Sequence, residues 1–122
     1  MKEFSRGDRI GAQMQRELAM LLRDAAKDPR LAEVTIQEVR VTSDLSHAKI
    51  YFTVRDKDEA RYFTGILERA AGFLRRRLGQ LMKLRTVPEL HFVYDSSIED
   101  GQRLSALIEK AVAEDSGEKT DG

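Results

Sequence analysis

The stretch of residues 69–90 constrains the fold most, because it joins an amphipathic helix pattern to the start of a strand. Its apolar side chains recur at helical spacing, which predicts a helix over about residues 73–83 with one face in a core. The apolar positions are Leu74, Leu78, Leu81 and Met82. The other side carries the densest basic cluster of the chain, formed by Arg75, Arg76, Arg77 and Lys83.

A glycine stands immediately before this basic helix, in the run Ala70-Ala71-Gly72. Glycine costs about 1 kcal/mol relative to alanine in the interior of a helix. The sequence therefore predicts a kink or short break at Gly72, with one helix over residues 58–71 and the basic helix after it. Pro88 then prevents the second helix from continuing into the next segment.

The remaining segments alternate between helix and strand patterns. Apolar spacing predicts a first helix over residues 8–26 and a last helix that begins near Ser96 or Ser97. The apolar stripe of the last helix consists of Ile98, Leu104, Leu107, Ile108, Ala111 and Val112. Strands are predicted over residues 33–42, 47–55 and 89–95, and the first two form an antiparallel hairpin. A slip of the alternation at Gln37 and Glu38 predicts a bulge in the first strand.

This order predicts one α+β domain over residues 1–114, a three-stranded sheet covered on one face by helices. Residues 115–122 contain no apolar side chain, so they are predicted to be a disordered tail.

The net charge of zero conceals a segregation of charge along the chain. Residues 61–85 hold seven basic residues against one acid, whereas residues 86–122 hold three basic residues against nine acids. Such a distribution favours a basic face for a polyanion, with an ordinary solvated surface as the alternative. The candidate phosphate-binding side chains are Arg6, Arg9, Arg75, Arg76, Arg77, Lys83 and Arg85.

Several classes of function find no support in the sequence. The chain has no cysteine, which excludes disulfides, thiol catalysis and cysteine-ligated metals. The two histidines, His47 and His91, fall on predicted strands without a third ligand at a recognisable spacing, so they are interpreted as surface histidines. We expect no cofactor and no bound metal. No apolar run approaches about 20 residues, and no secretory signal pattern is present, so no membrane partner is expected.

Several blocks of sequence resemble the ribosome-binding factor A family over about residues 3–112. The most specific blocks are Ala70-Ala71-Gly72-Phe73-Leu74-Arg75 and the run from Leu84 to Phe92, LRTVPELHF, which leads into Tyr94 and Asp95. Weaker blocks are Arg6 to Ile10, Asp28-Pro29-Arg30-Leu31 and Ser43-Asp44-Leu45.

This resemblance implies a type II KH-like domain in which a kink at Ala70-Ala71-Gly72 replaces the usual G-x-x-G loop. It also implies a monomeric, cytoplasmic, non-enzymatic factor that binds the immature small (30S) ribosomal subunit and its 16S rRNA. Late rRNA processing and growth in the cold are the implied roles. Two alternatives stay open: a factor that acts on mature subunits, such as an inactivation factor, and a small enzyme with an unrecognised site.

Overall fold

The structure is a computed structural model that describes the backbone of residues 5–121, and the side chains of these residues except residue 25 and residues 115–121. Its main elements are α1 (Arg6–Met20), β1 (Thr35–Val41), β2 (His47–Thr53), α2 (Ala60–Met82), β3 (Glu89–Tyr94) and α3 (Ser97–Asp121). Shorter helical turns are a π-helical extension of α1 (Leu21–Ala25) and two 3-10 turns (Pro29–Glu33 and Lys57–Glu59).

The first helix begins at a capping box. The Ser5 hydroxyl accepts from the backbone N–H of Asp8, and the Asp8 carboxylate accepts from the N–H of Ser5. These reciprocal bonds satisfy free N–H groups of the first turn, so α1 starts two residues before the predicted position. Met14 and Leu18 are fully buried, as the apolar spacing predicts.

The sheet has the strand order β1-β2-β3, with β1 antiparallel to β2 and β3 parallel to β2. Ile36 pairs with Phe52 and Glu38 pairs with Tyr51, so Gln37 is an extra residue in β1. The predicted bulge is thereby confirmed. One face of the sheet is covered by α1 and α2. The resulting α+β fold confirms the predicted class and is consistent with a type II KH-like arrangement.

The predicted break at Gly72 is corrected by the structure, because α2 is one continuous α-helix of 23 residues. Phe63 and Leu67 before Gly72, and Leu74 and Leu78 after it, are buried along one stripe. Burial of each such side chain contributes roughly 1.5–3 kcal/mol, which exceeds the propensity cost of one glycine. A bend of the unbroken helix at Ala70-Ala71-Gly72 remains a prediction.

Two large side chains of α2 are exposed. Leu81, which is predicted on the apolar face, is 37% exposed, and Tyr62 is 48% exposed. The Arg30 guanidinium lies 5.4 Å from the centroid of the Tyr62 ring and donates a hydrogen bond to its hydroxyl. Tyr62 therefore covers a charged side chain at the surface, and it does not fill the core.

The last helix also differs from the sequence prediction. Its large apolar side chains, Ile98, Leu104, Leu107, Ile108 and Val112, are between 54% and 60% exposed. The helix is attached at its first turn, where the Tyr94 hydroxyl donates to Glu99 Oε1 at 2.6 Å. The helix extends to Asp121, and the disorder of residues 115–122 stays a prediction. Residue 122 lies outside the described residues.

Candidate nucleic-acid interface

The outward face of α2 carries a row of residues that we call the α2 ridge, formed by the cations Arg69, Arg76 and Lys83 together with Gly72. Their spacings of three, four and seven positions place them on one face of the helix and at its end. All four are exposed. Leu74, on the opposite side of the helix, is fully buried. The core contact of α2 therefore directs the ridge into solvent.

Gly72 lies between the two arginines of the ridge. A Cβ atom placed on this glycine would meet nothing within 4 Å. The glycine is consequently not required by packing inside the domain. Its missing side chain leaves bare helix backbone between Arg69 and Arg76, where a bulky ligand can approach closely.

The three adjacent arginines of the predicted set have different internal contacts. Arg75 Nη2 donates to the carbonyl oxygen of Val87 at 2.9 Å, and Arg77 Nη1 donates to Gln80 Oε1 at 3.3 Å. Within the described residues Arg76 makes no hydrogen bond or ion pair. All three arginines are exposed, and a guanidinium has five N–H donors, so Arg75 and Arg77 keep donors for a ligand.

Lys83 ends α2 in a left-handed conformation, with a φ of 53°. The backbone N–H of Lys83 donates to the carbonyl oxygen of Gly79, and the N–H of Leu84 donates to the same oxygen at 3.2 Å. Both bonds satisfy the Gly79 carbonyl group at the end of the helix, and the left-handed residue turns the chain out of α2. The following loop, residues 84–88, is held to α2 by the bond from Arg75 to Val87.

Two other predicted cations, Arg6 and Arg85, line one groove of about 360 Å³. The groove lies between the start of α1, the β1–β2 turn and the loop after α2. Its lining consists of Arg6, Ile10, Asp44, Leu45, Ser46, Leu84, Arg85, Thr86 and Pro88. Arg9 is exposed on α1 and is not part of this lining. The structure therefore brings Arg6 and Arg85 to one groove, whereas Arg9 lies outside its lining, one helical turn along α1 from Arg6.

Asp44 places a negative charge in this groove. Hydrogen bonds from the Ser46 hydroxyl, the Thr42 hydroxyl and the Ser46 N–H lower the pKa of Asp44 to about 2. The carboxylate thus fixes the turn between β1 and β2, in which Leu45 has a φ of 63°. Since an ionised carboxylate opposes phosphate, the α2 ridge is the better candidate of the two for contact with a polyanion.

Two features of this region are not predicted from the sequence. Arg69 was not among the candidates, although its spacing of two helical turns from Arg76 is visible in the sequence. The role of Arg75 in holding Val87 carries no sequence signal, because it depends on how the loop folds back onto α2.

The two histidines, His47 and His91, lie closer to each other than the sequence suggests. His47 Nδ1 is 3.0 Å from His91 Nε2, and Glu89 lies beside them. Among the described residues this trio is the one group of three or more side chains that could hold a metal ion.

No helix within the described part of the chain is both long and apolar enough to cross a membrane.

Comparison of the sequence with known proteins identifies a family model and close relatives that match most of the chain. The sequence model of the family described as "Ribosome-binding factor A" matches residues 6–108. The chain is 58% identical over 118 residues to the ribosome-binding factor A of Stutzerimonas stutzeri, covering 93% of this chain and 92% of that protein. It is 55% identical over 121 residues to that of Thioalkalivibrio sulfidiphilus, covering 98% and 94%.

Solved structures agree with the sequence comparison. The crystal structure of ribosome-binding factor A from Thermus thermophilus matches with a TM-score of 0.66 and 29% identity, over 74% of this chain and 97% of that one. A solution structure of a Thermotoga maritima protein, described as a putative ribosome-binding factor A, matches with a TM-score of 0.67 and 28% identity, over 76% and 90%. A Thermus thermophilus homology model, fitted into a cryo-EM map of a 30S complex with that factor, matches with a TM-score of 0.58 and 31% identity, over 70% and 91%.

Proposed function

The chain belongs to the ribosome-binding factor A family, and on that premise we propose that it is an assembly factor that binds the immature small ribosomal subunit through its 16S rRNA. The observation that carries this proposal is the α2 ridge, an exposed row of cations around an open glycine. In this proposal the protein acts in the cytoplasm as a monomer, without catalysis. It favours late maturation of 16S rRNA and supports growth in the cold, as the family resemblance implies.

The chemistry of the ridge suits phosphate. Arginine presents a planar fork of donors that matches two phosphate oxygens, and lysine adds a compact charge. Within the described residues Arg76 has no internal partner to give up, so it can meet phosphate without breaking a contact of the fold. Arg75 and Arg77 flank it and supply further donors, while Arg6 and Arg85 extend the positive surface around the end of α2.

The surface of the protein suits contacts with the RNA backbone better than stacking with RNA bases. Aromatic residues make up 7% of the chain. The aromatic pair of Phe52 and Tyr94 on β2 and β3 faces the core, since Phe52 is fully buried, so it cannot stack bases as the exposed strand aromatics of RRM domains do. On the open face of the sheet, Tyr51 lies against the Arg40 guanidinium, 5.6 Å from ring centroid to Cζ. We therefore propose that RNA is recognised by shape and phosphate position.

Binding of this kind can direct ribosome assembly without catalysing a reaction. A ligand shifts a conformational equilibrium only by its difference in affinity for the two states. A factor whose cations fit one arrangement of the maturing rRNA therefore stabilises that arrangement relative to its competitors. The relative fitted into a 30S map gives independent support for a small-subunit partner, since that protein was placed on the 30S subunit.

Co-sedimentation with purified small subunits tests this function. We expect the protein to bind subunits that contain precursor 16S rRNA more tightly than mature subunits. We also expect precursor 16S rRNA to accumulate at low temperature in cells that lack the protein. Tighter binding to mature subunits, with normal precursor processing, would favour the alternative of a factor that acts on finished subunits.

A further inference from the structure

We propose that His47, Glu89 and His91 form a binding site for a divalent transition-metal ion, with Zn²⁺ as the expected occupant. The site lies on the open face of the sheet, on the side opposite α1 and α2. It does not involve the α2 ridge, so its failure would leave the proposed function unaffected.

The three side chains converge because of the strand register. In the parallel pairing of β2 with β3, His47 lies opposite Glu89 and Lys49 lies opposite His91. Residues that alternate along a strand share a face, so His47, Glu89 and His91 all point to the same side of the sheet. All three are exposed there. Two rings and one carboxylate thus meet at the start of both strands.

The distances suit a metal centre. His47 Nδ1 lies 3.0 Å from His91 Nε2 and 3.7 Å from Glu89 Oε2, and the three ligand atoms lie within 4.8 Å of one another. Tetrahedral zinc with bonds of about 2.0–2.1 Å separates its ligand atoms by about 3.3 Å. Small rotations of exposed side chains would therefore bring all three atoms to bonding distance.

The ligand types determine which metal fits. Imidazole nitrogens with one carboxylate suit Zn²⁺, Ni²⁺ and Cu²⁺ better than Mg²⁺ or Ca²⁺, which prefer oxygen ligands. Three protein ligands leave a fourth tetrahedral position open to water or another ligand. Of these ions, zinc has no geometric preference of its own, so it adapts most easily to a surface site.

The backbone under the site is fixed on both sides. The Glu89 N–H donates to the carbonyl oxygen of Ser46 at 2.9 Å. The His47 N–H donates to Thr42 Oγ1 at 3.1 Å, and the His47 carbonyl accepts from the Thr42 N–H at 2.9 Å. Ala48, next to His47, is fully buried. The strands therefore hold the three Cα atoms in place before the metal arrives.

Two neighbouring cations weaken metal binding at the site but do not block access to it. Lys49 and Arg40 line the same open groove as the two histidines, and both repel a dication. Both are long, exposed side chains that can turn away into solvent. With three protein ligands and these neighbouring charges, we expect weaker zinc binding than at a closed four-ligand site.

Isothermal titration with ZnCl₂ tests the site, using the full chain without a histidine tag, since the protein has only two histidines of its own. We expect one zinc ion per chain. The variants His47→Ala, His91→Ala and Glu89→Gln should each weaken binding at least tenfold while keeping a wild-type circular dichroism spectrum. Glu33→Gln, which neutralises an exposed carboxylate outside the site, should leave the affinity unchanged.

A parallel titration with Co²⁺ should give the visible absorption of a low-symmetry nitrogen and oxygen site, and this absorption should be absent in His91→Ala. Equal zinc affinity in the wild type and His91→Ala would overturn the site. An absence of saturable zinc binding at concentrations up to about 1 mM would also overturn the proposed site.

Discussion

At the scale of single residues, two helical glycines have opposite surroundings. A Cβ atom on Gly11 would lie 2.6 Å from the carbonyl oxygen of Val39, so this glycine allows α1 to approach β1 closely. A Cβ atom on Gly72 would meet nothing within 4 Å. The sequence alone treats both as the same unfavourable residue in a helix, because the difference depends on which element packs against each one.

This contrast predicts opposite effects of the same substitution. Gly11→Ala should destabilise the protein by about 1–3 kcal/mol, because the new methyl group collides with backbone that cannot move away. Gly72→Ala should stabilise it by up to about 1 kcal/mol through helix propensity. Urea unfolding of both variants measures the difference. Similar free energies of unfolding for the two variants would contradict the packing described for α1.

Asp44 predicts a specific dependence of stability on pH. Its folded pKa, about 2, lies below the ordinary value of 3.8, so ionisation of Asp44 stabilises the fold. This stabilisation should be fully present above about pH 4 and should disappear as the pH falls towards 2. Asp44→Ala should therefore be less stable than the wild type at pH 7, and the gap should narrow below about pH 4 in urea unfolding. A gap that stays constant from about pH 5 to about pH 2 would refute the assignment.

At the scale of elements, the pattern of apolar residues predicted the structure correctly where those residues pack into the core. The strict alternation in residues 47–55 predicted β2, and the phase slip at Gln37 and Glu38 predicted the bulge. The predicted break at Gly72 was wrong because the apolar stripe continues in phase across the glycine, and tertiary packing outweighs propensity. The exposed position of α3 could not be predicted, since an amphipathic stripe looks the same in sequence whether or not it is buried.

The end of α2 links stability to binding through Lys83. Its left-handed conformation suits glycine better than lysine, so Lys83→Gly should stabilise the protein by about 1 kcal/mol. The same change removes a cation of the α2 ridge and should weaken binding to the small subunit. Thermal unfolding and co-sedimentation of this variant should therefore move in opposite directions. A more stable variant that binds as well as the wild type would remove Lys83 from the interface.

At the scale of the whole molecule, the segregation of charge along the chain follows the order of the elements. The basic segment, residues 61–85, forms α2 and the turn after it, whereas the acidic segment, residues 86–122, contains β3 and α3. The sequence predicted that the arginines of α2 are exposed, and they are. It could not predict the trio of His47, Glu89 and His91, because its members meet only through the parallel register of β2 with β3.

The salt dependence of binding to precursor small subunits tests most directly whether the α2 ridge binds rRNA. If about four phosphates are neutralised, the logarithm of the association constant should fall with the logarithm of salt concentration at a slope near −3. A variant with Arg69, Arg76 and Lys83 changed to glutamine should bind at least tenfold more weakly, with a slope shallower by about 2. The matched control changes Arg16, Arg23 and Arg55, which are exposed elsewhere, to glutamine and should bind like the wild type. Equal losses in both folded variants, or no loss in the ridge variant, would contradict the proposed interface.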